Sequence, residues 1–437
     1  MTRVMRYLST RGRSPAVSIG PAIARGLAPD GGLYVPEALP RLELEAFARD
    51  GTLAATATTL LAPFFAGDAL ENELPRICAE ALGLDTPLRT LPQQNASVLE
   101  LFHGPTAAFK DFGARFLAAC MSRLPRADDR VLTILVATSG DTGAAVAAAF
   151  HRKPGLRVVI LYPDGLVSPR QAHQLGCFGD NVYALRVAGR FDDCQRMVKA
   201  ALADPALQAT VPLSSANSIS LGRLLPQMSY YAHAALGWWY QHGTPLNVIV
   251  PTGNLGNAMA CLWVRAVGLP IGKVRLACNA NATLPDFFAG ADYMPREAVA
   301  TIANAMDVGA PSNYERLRWT FPDGNTLRRL LQAHSVDDDA IRQTITGHAR
   351  AYGDVFCPHT ATAVHQLDQQ RKAGDAEHWA VVATAHPAKF ETVVEPLTGQ
   401  PVTVPPALAA MLARPASAEP LAAVDAALRD WLARQPS

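Results

Sequence analysis

Apolar positions run almost unbroken through Val131–Ala137 (Val-Leu-Thr-Ile-Leu-Val-Ala). That is the pattern of a strand covered on both faces within a parallel sheet. A loop of small residues and an alanine-rich helix follow it. The alternation then repeats, with a strand at Arg157–Tyr162, a helix starting near Ser168-Pro169, a strand at Asn181–Val187 and a helix over Asp192–Ala203. Three βα units in succession predict a doubly wound parallel sheet with right-handed crossovers. A polar turn at Pro212–Ser218 leads into a long helix through Tyr240. A second βα series opens with a strand at Leu246–Pro251 and a helix from about Asn254 to Val267. Strands at Lys273–Cys278 and Ala380–Ala385 continue it. Residues 406–434 read as one or two amphipathic helices, and residues 1–95 mix short helical patterns with turns. Two α/β domains facing a shared cleft are expected, with ligands at the carboxyl ends of the strands.

Composition narrows the chemistry. The 437 residues carry 39 basic and 38 acidic side chains, a net charge of +1. No broad basic field suits nucleic acid or an anionic membrane, so any phosphate site must be local. The seven cysteines, Cys78, Cys120, Cys177, Cys194, Cys261, Cys278 and Cys357, are scattered without a CxxC pair. Reduced thiols fit better than disulfides or zinc. The N-terminus lacks the apolar core of a secretory signal, and no stretch reaches membrane-span length. A soluble cytoplasmic protein is expected.

One lysine stands out. In His103–Gly113, Lys110 sits among apolar and small residues with a single carboxylate, Asp111, beside it. Desolvation lowers an amine's pKa and makes it a nucleophile toward an aldehyde. The same pattern also suits a lysine that snorkels from a core or pairs with Asp111.

Two strand-to-helix loops complete the set. Thr138-Ser139-Gly140-Asp141-Thr142-Gly143 offers hydroxyls, glycines and a helix N-terminus to an anion, or else simple helix caps. Thr252-Gly253-Asn254-Leu255-Gly256-Asn257 would wrap a phosphate in backbone N–H groups, or serve as a turn device. It is neither a dinucleotide fingerprint nor a Walker A loop. An aldehyde-reactive lysine, a phosphate cup and a carboxylate site are together what pyridoxal phosphate and an amino-acid substrate require.

The run His103–Gly113 closely resembles the lysine motif of threonine synthases, which are fold type II pyridoxal-phosphate enzymes. Gly26–Pro36 is similar to the family's N-terminal signature. Thr138–Gly143 resembles its substrate loop, Pro251–Asn257 its phosphate loop, Asn217–Arg223 its asparagine-serine segment and Ala383–Phe390 its C-terminal block. The resemblance implies a tryptophan-synthase-β-like fold of two doubly wound α/β domains with the cofactor cleft between them. Its parts would be an N-terminal domain at 1–95 and a large cofactor domain at 96–130 and 216–400. A small substrate-side domain would occupy 131–215 and a C-terminal helical extension 401–437.

Carried over by position, Lys110 would bind the cofactor aldehyde and shuttle protons. Gly253, Asn254, Leu255, Gly256 and Asn257 would hold its phosphate, and Thr384 would meet its pyridine nitrogen. Thr138, Ser139, Gly140, Asp141 and Thr142 would take the substrate carboxylate or lie beside the ring, with Asn217 and Ser218 nearby. Two departures stand out: Leu255 where phenylalanine is commoner, and Ser220 where asparagine is commoner, the latter bearing on a substrate-side hydrogen bond. Charge and adjacency nominate Lys389, Arg223, Arg115 and Arg170 for the substrate phosphate. His103 and His386 flank the motifs as weaker acid–base candidates. No metal site is expected, His359 and His365 being the nearest histidine pair.

The implied reaction turns O-phospho-L-homoserine and water into L-threonine and phosphate, in a monomer or homodimer. Release of a 2-oxo acid, non-catalytic binding and a nucleotide-dependent kinase are the rival readings.

Overall fold

The computed structural model describes residues 4–125 and 130–435. Two parallel sheets carry the chain, each with helices on its faces. The larger runs Leu331–Ser335, Ile271–Cys278, Leu246–Pro251, Trp379–Ala383, Ala96–Glu100 and Leu88–Leu91 in spatial order. Every pair in it is parallel except the last. The smaller runs Glu419–Leu421, Val182–Val187, Leu156–Pro163, Leu132–Ala137 and Leu213–Ser215, all parallel. Leu156–Pro163 is buried at every residue, Arg157 included, as expected of a run that is otherwise apolar. An antiparallel pair, Tyr7–Ser9 with Tyr34–Pro36, stands apart near the N-terminus.

The helix Leu221–His242 joins the sheets, with Pro226 inside it. It packs with Lys110–Met121 and Leu53–Phe65 in one apolar core. Contact there is close: a Cβ on Gly113 would stand 2.8 Å from the Arg223 carbonyl oxygen, and one on Gly222 2.7 Å from Leu117. Alanine-rich Asp141–Phe150 likewise lies in a crowded layer, where a Cβ on Gly143 would meet Leu175 at 2.6 Å.

Three expectations need correction. Leu213–Ser215 is an edge strand beside Leu132–Ala137, not part of a polar turn; its Ser214 hydroxyl donates to the Ala24 carbonyl at 2.8 Å, so the polar side chain is satisfied. The C-terminal segment is not wholly helical. Pro406–Leu412 and Asp425–Ala433 flank Glu419–Leu421, which extends the smaller sheet beside Val182–Val187. Pro420 is tolerated because the strand is at an edge. Leu88–Leu91, read with the N-terminal segment, pairs antiparallel with Ala96–Glu100 at the rim of the larger sheet. No helix among the described residues is long and apolar enough to cross a membrane, and all seven cysteines are free and buried.

Leu428 and Leu432, both buried, pack with Val187, Met197 and Val198. Leu428→Ala should cost about 2–5 kcal/mol of stability, read from the urea midpoint, because it opens a cavity in the smaller domain's core. A loss below about 0.5 kcal/mol would mean that the C-terminal helix is not docked.

Candidate active site

Three strands of these sheets end at one place. Trp379–Ala383 leads to Thr384, Leu246–Pro251 to the glycine loop, and Leu132–Ala137 to Thr138. Lys110 is the first residue of its helix and is partly open to the space between them. Its amine is pushed down to about 8, first by burial and then by the Arg223 charge, with Asp141 opposing. It does not pair with Asp111. That carboxylate accepts the Thr106 N–H at 2.9 Å and the Thr106 hydroxyl at 2.7 Å, pinning the loop before the lysine.

An inner cavity of about 60 Å³ has Lys110, Thr384, Arg223 and the whole of Gly253–Asn257 in its wall. Leu255 adopts φ +62°, a left-handed conformation uncommon outside glycine, just before the helix Gly256–Ala266. The first N–H groups of that helix have no partner within it. Gly253 is pressed against Met306, whose Cα a Cβ would meet at 2.8 Å. Asn257 accepts hydroxyls from Tyr230 at 2.5 Å and Tyr231 at 2.9 Å, and its buried Nδ2 has no partner. Arg223 donates Nη1 to the Ala216 carbonyl at 2.7 Å, while its buried Nε has no partner. No carboxylate among the described residues forms an ion pair with it, and burial pushes it down to about 10. Orphaned donors and a buried cation without an ion pair, beside a helix N-terminus, fit the phosphate of pyridoxal phosphate.

Other wall residues are held in place by hydrogen bonds. The Thr384 carbonyl accepts the Phe109 N–H at 2.8 Å, hinging Thr384 to the residue before Lys110. Asn254 donates to the Ser218 hydroxyl at 2.7 Å, and its carbonyl accepts from Asn313 at 3.0 Å. His359 was not expected at the cavity. Its Nε2 accepts the Ala305 N–H at 3.0 Å, and burial pushes it down to about 4, so it is a neutral buttress for the segment behind Gly253.

An outer chamber of about 220 Å³ shares Lys110, Ser218 and Asn254 with the inner one and adds Thr138, Ser139, Thr142 and Asn217. The Thr138 hydroxyl oxygen accepts the N–H groups of Gly140 and Gly143, each at 3.0 Å, and shapes the loop. Gly140 needs its φ of +129° there, and a Cβ would strike Gln171 at 2.6 Å. Ser220 is buried just before helix Leu221–His242 and lines neither cavity.

The nominated cations fall differently. Lys389 lines neither cavity. Its amine is fully buried, 2.7 Å from Asp141 Oδ1, and donates to the Thr106 carbonyl at 2.8 Å. Asp141 also accepts from Gln171 at 3.1 Å, so this carboxylate is spent inside the protein. Arg115 is bound to the carbonyls of Ala81 and Glu80, and Arg170 to that of Ala388. His103 pairs with Glu100 at 2.9 Å, and His386 accepts the Ala388 N–H at 3.2 Å. Sequence reasoning missed Lys199, Gln195 and Arg296, which line the outer chamber. Phe191, Gln195 and Lys199 recur at helical spacing, which is a legible signal; Arg296 lies in an irregular segment that offers none.

Comparison with known proteins gives the class first. Residues 80–388 match the family described as pyridoxal-phosphate dependent enzyme, and the chain is an enzyme of that kind. Residues 6–82 and 360–431 match the threonine synthase N-terminal and C-terminal families. The chain is 36% identical to threonine synthase of Serratia marcescens over 435 residues, 99% of this chain and all of that protein. It is 37% identical to that of Escherichia coli K12 over 430 residues, 97% of this chain and 98% of that one. The crystal structure of the Escherichia coli enzyme superposes with TM-score 0.88 at 34% identity, covering 98% of this chain and 99% of that one. The pyridoxal-phosphate-bound Brucella melitensis threonine synthase superposes equally well, at 32% identity, with the same coverage. The chain belongs to the threonine synthase family.

Two outcomes follow from this geometry. Because its pKa is lowered, the Lys110 amine loses its proton at lower pH than an ordinary lysine. Pyridoxal phosphate should therefore reload the cofactor-free protein faster as pH rises, with an inflection near about 8; Arg223→Gln should move it upward, since the Arg223 charge helps to lower that pKa. An inflection in the ordinary lysine range would contradict the assignment. Gly253→Ala should weaken cofactor retention about tenfold or more in equilibrium dialysis, because Met306 leaves no room for a Cβ.

Proposed function

We propose that the chain converts O-phospho-L-homoserine and water into L-threonine and inorganic phosphate, the last step of threonine formation. The observation that carries this reading is a Lys110 amine of lowered basicity where the two cavities meet, one suited to the cofactor and the other open to a substrate. When bound, pyridoxal phosphate supplies an aldehyde for amines and a ring that accepts the electrons left by a departing proton.

This chain's residues supply the rest. Lys110 would bind the aldehyde at rest, and Gly253–Asn257 with Arg223 would hold the phosphate. The Thr384 hydroxyl would meet the ring nitrogen without a full negative charge to keep it protonated. Freed by the substrate amine, Lys110 Nζ would take a proton from Cα and return one there. The net change removes phosphate from Cγ and one proton from Cβ, and places a proton at Cγ and hydroxide from water at Cβ. Ser139 and Thr142, with the N–H groups opening helix Asp141–Phe150, would hold the substrate carboxylate. Asn217 and Ser218 stand on the same wall. Asp141 and Lys389 position that loop through each other. We further infer a cytoplasmic enzyme of one or two subunits; the near-neutral charge and the motif set support a small-molecule substrate in place of nucleic acid.

Lys110→Ala should abolish phosphate release from O-phospho-L-homoserine, together with the visible absorbance of the bound cofactor. Retention of both sinks the assignment. Product analysis of the wild-type protein should give threonine; 2-oxobutyrate in its place would make the enzyme a phospholyase.

A further inference from the structure

The substrate proposed above carries its phosphate on the carbon farthest from the amine. Lys110, Ser139 and Thr142 all line the outer chamber, so with the amine and carboxylate held there that phosphate would lie in the same space. Each cation nominated from sequence is engaged elsewhere: Lys389 by Asp141, Arg115 and Arg170 by carbonyls, and Arg223 in the inner cavity with the glycine loop. Two other cations line the outer chamber, Lys199 and Arg296.

We infer that Lys199 and Arg296 grip the substrate's phosphate from two separate walls of the chamber and set the enzyme's preference for a phosphorylated amino acid. Lys199 lies on helix Phe191–Ala203, one turn beyond Gln195, and both face the chamber with Phe191. It forms no ion pair among the described residues and is exposed, so its ammonium is available. Arg296 lies on the segment between helix Thr283–Phe288 and Asn304. Its backbone N–H donates to the Gly309 carbonyl at 3.1 Å, which fixes the residue to the chamber rim. Its Nη2 meets Asp286 at 2.6 Å, leaving Nε and Nη1 as donors. The chamber also has two carboxylates. Asp192 is exposed, and Asp307 already accepts the Thr301 N–H at 3.0 Å and the Thr301 hydroxyl and Asn279 amide, each at 2.7 Å. Burial pushes Asp307 up to about 7, which reduces its charge near neutrality. Lys199 and the free Nε and Nη1 of Arg296 thus offer an anion both charge and hydrogen-bond donors, with Asp192 turned to solvent and Asp307 occupied by its own donors.

The inference rests on the proposed reaction, and its test separates the two. Wild-type holoenzyme, Lys199→Ala, Arg296→Ala and Lys199→Arg are assayed with O-phospho-L-homoserine. Inhibition by inorganic phosphate is measured in parallel. Binding of L-threonine, an amino acid without phosphate, is read from the cofactor absorbance. Each alanine variant should raise KM about tenfold or more and weaken phosphate inhibition by a similar factor, as loss of a charged hydrogen-bond partner requires. L-Threonine affinity should stay within about twofold, and Lys199→Arg should recover most of the loss. An unchanged KM and phosphate inhibition overturns the inference, as does an equal loss of L-threonine affinity, which would mark a structural role. If the wild-type enzyme itself releases no phosphate, the reading of the reaction fails and the inference falls with it.

Discussion

The buried ion pair between Asp141 and Lys389 holds the site's parts in register. Lys389 comes from the turn after the larger sheet's Trp379–Ala383 strand, and Asp141 opens the helix after the smaller sheet's Leu132–Ala137 strand. The same ammonium donates to Thr106, in the loop before Lys110. Three segments distant in sequence thus converge on one charge. Taking both ions out of water costs several kcal/mol per ion, and only close contact with further hydrogen bonds offsets that cost. The Gln171 amide and the Thr106 carbonyl supply those bonds. Lys389 also holds Asp141 ionised, below the usual carboxylate range. Asp141 also acts on Lys110, where it opposes the lowering of that amine's basicity by burial and by the Arg223 charge.

Around this pair, the walls leave certain polar groups unpaired where a ligand would sit. Buried donors are normally matched within the protein. Asn257 Nδ2 and Arg223 Nε are not, although the opposite ends of both side chains are bonded. Asn257 is anchored by two tyrosines through its oxygen, so the amide nitrogen has a fixed direction. Leu255 adds a left-handed backbone without a glycine. Such local costs persist where the surrounding packing fixes them, and they cluster where ligands bind.

What could be read from sequence followed how locally each feature was encoded. The central strands Leu156–Pro163 and Leu246–Pro251 announce themselves because burial on both faces demands apolar side chains at consecutive positions. Edge strands do not. Leu213–Ser215, Glu419–Leu421 and Leu331–Ser335 pair on one side only and tolerate serine, proline and histidine. At the site, Lys110 and the two glycine loops were legible because each sits within a few residues of a strand end or helix start. The cations were not, since adjacency to a motif says nothing of where a long side chain points. Lys389 neighbours the C-terminal block and turns inward, whereas Lys199 lies far from any motif and faces the chamber.

The N-terminal signature, remote from the chemistry in sequence, is wired to it through Arg316. This guanidinium is fully buried and meets no carboxylate in an ion pair among the described residues. It is satisfied instead by carbonyl oxygens. Nε and Nη2 donate to Tyr34 at 3.0 and 2.9 Å, Nη2 also reaches Ile219 at 2.7 Å, and Nη1 reaches the Asn313 side chain at 2.7 Å. Asn313 in turn donates to the Asn254 carbonyl in the phosphate loop. One cation therefore joins the Tyr34–Pro36 strand, the Asn217–Arg223 segment and the Gly253–Asn257 loop. Carbonyl partners carry only partial charge, so the site gains rigidity there without adding a further buried carboxylate to Asp111 and Asp141. A carboxylate in that position would oppose phosphate binding through the low-dielectric interior. Keeping Arg316 neutralised by dipoles and Lys389 by Asp141 leaves Arg223, alone among these three buried cations, to face an incoming anion.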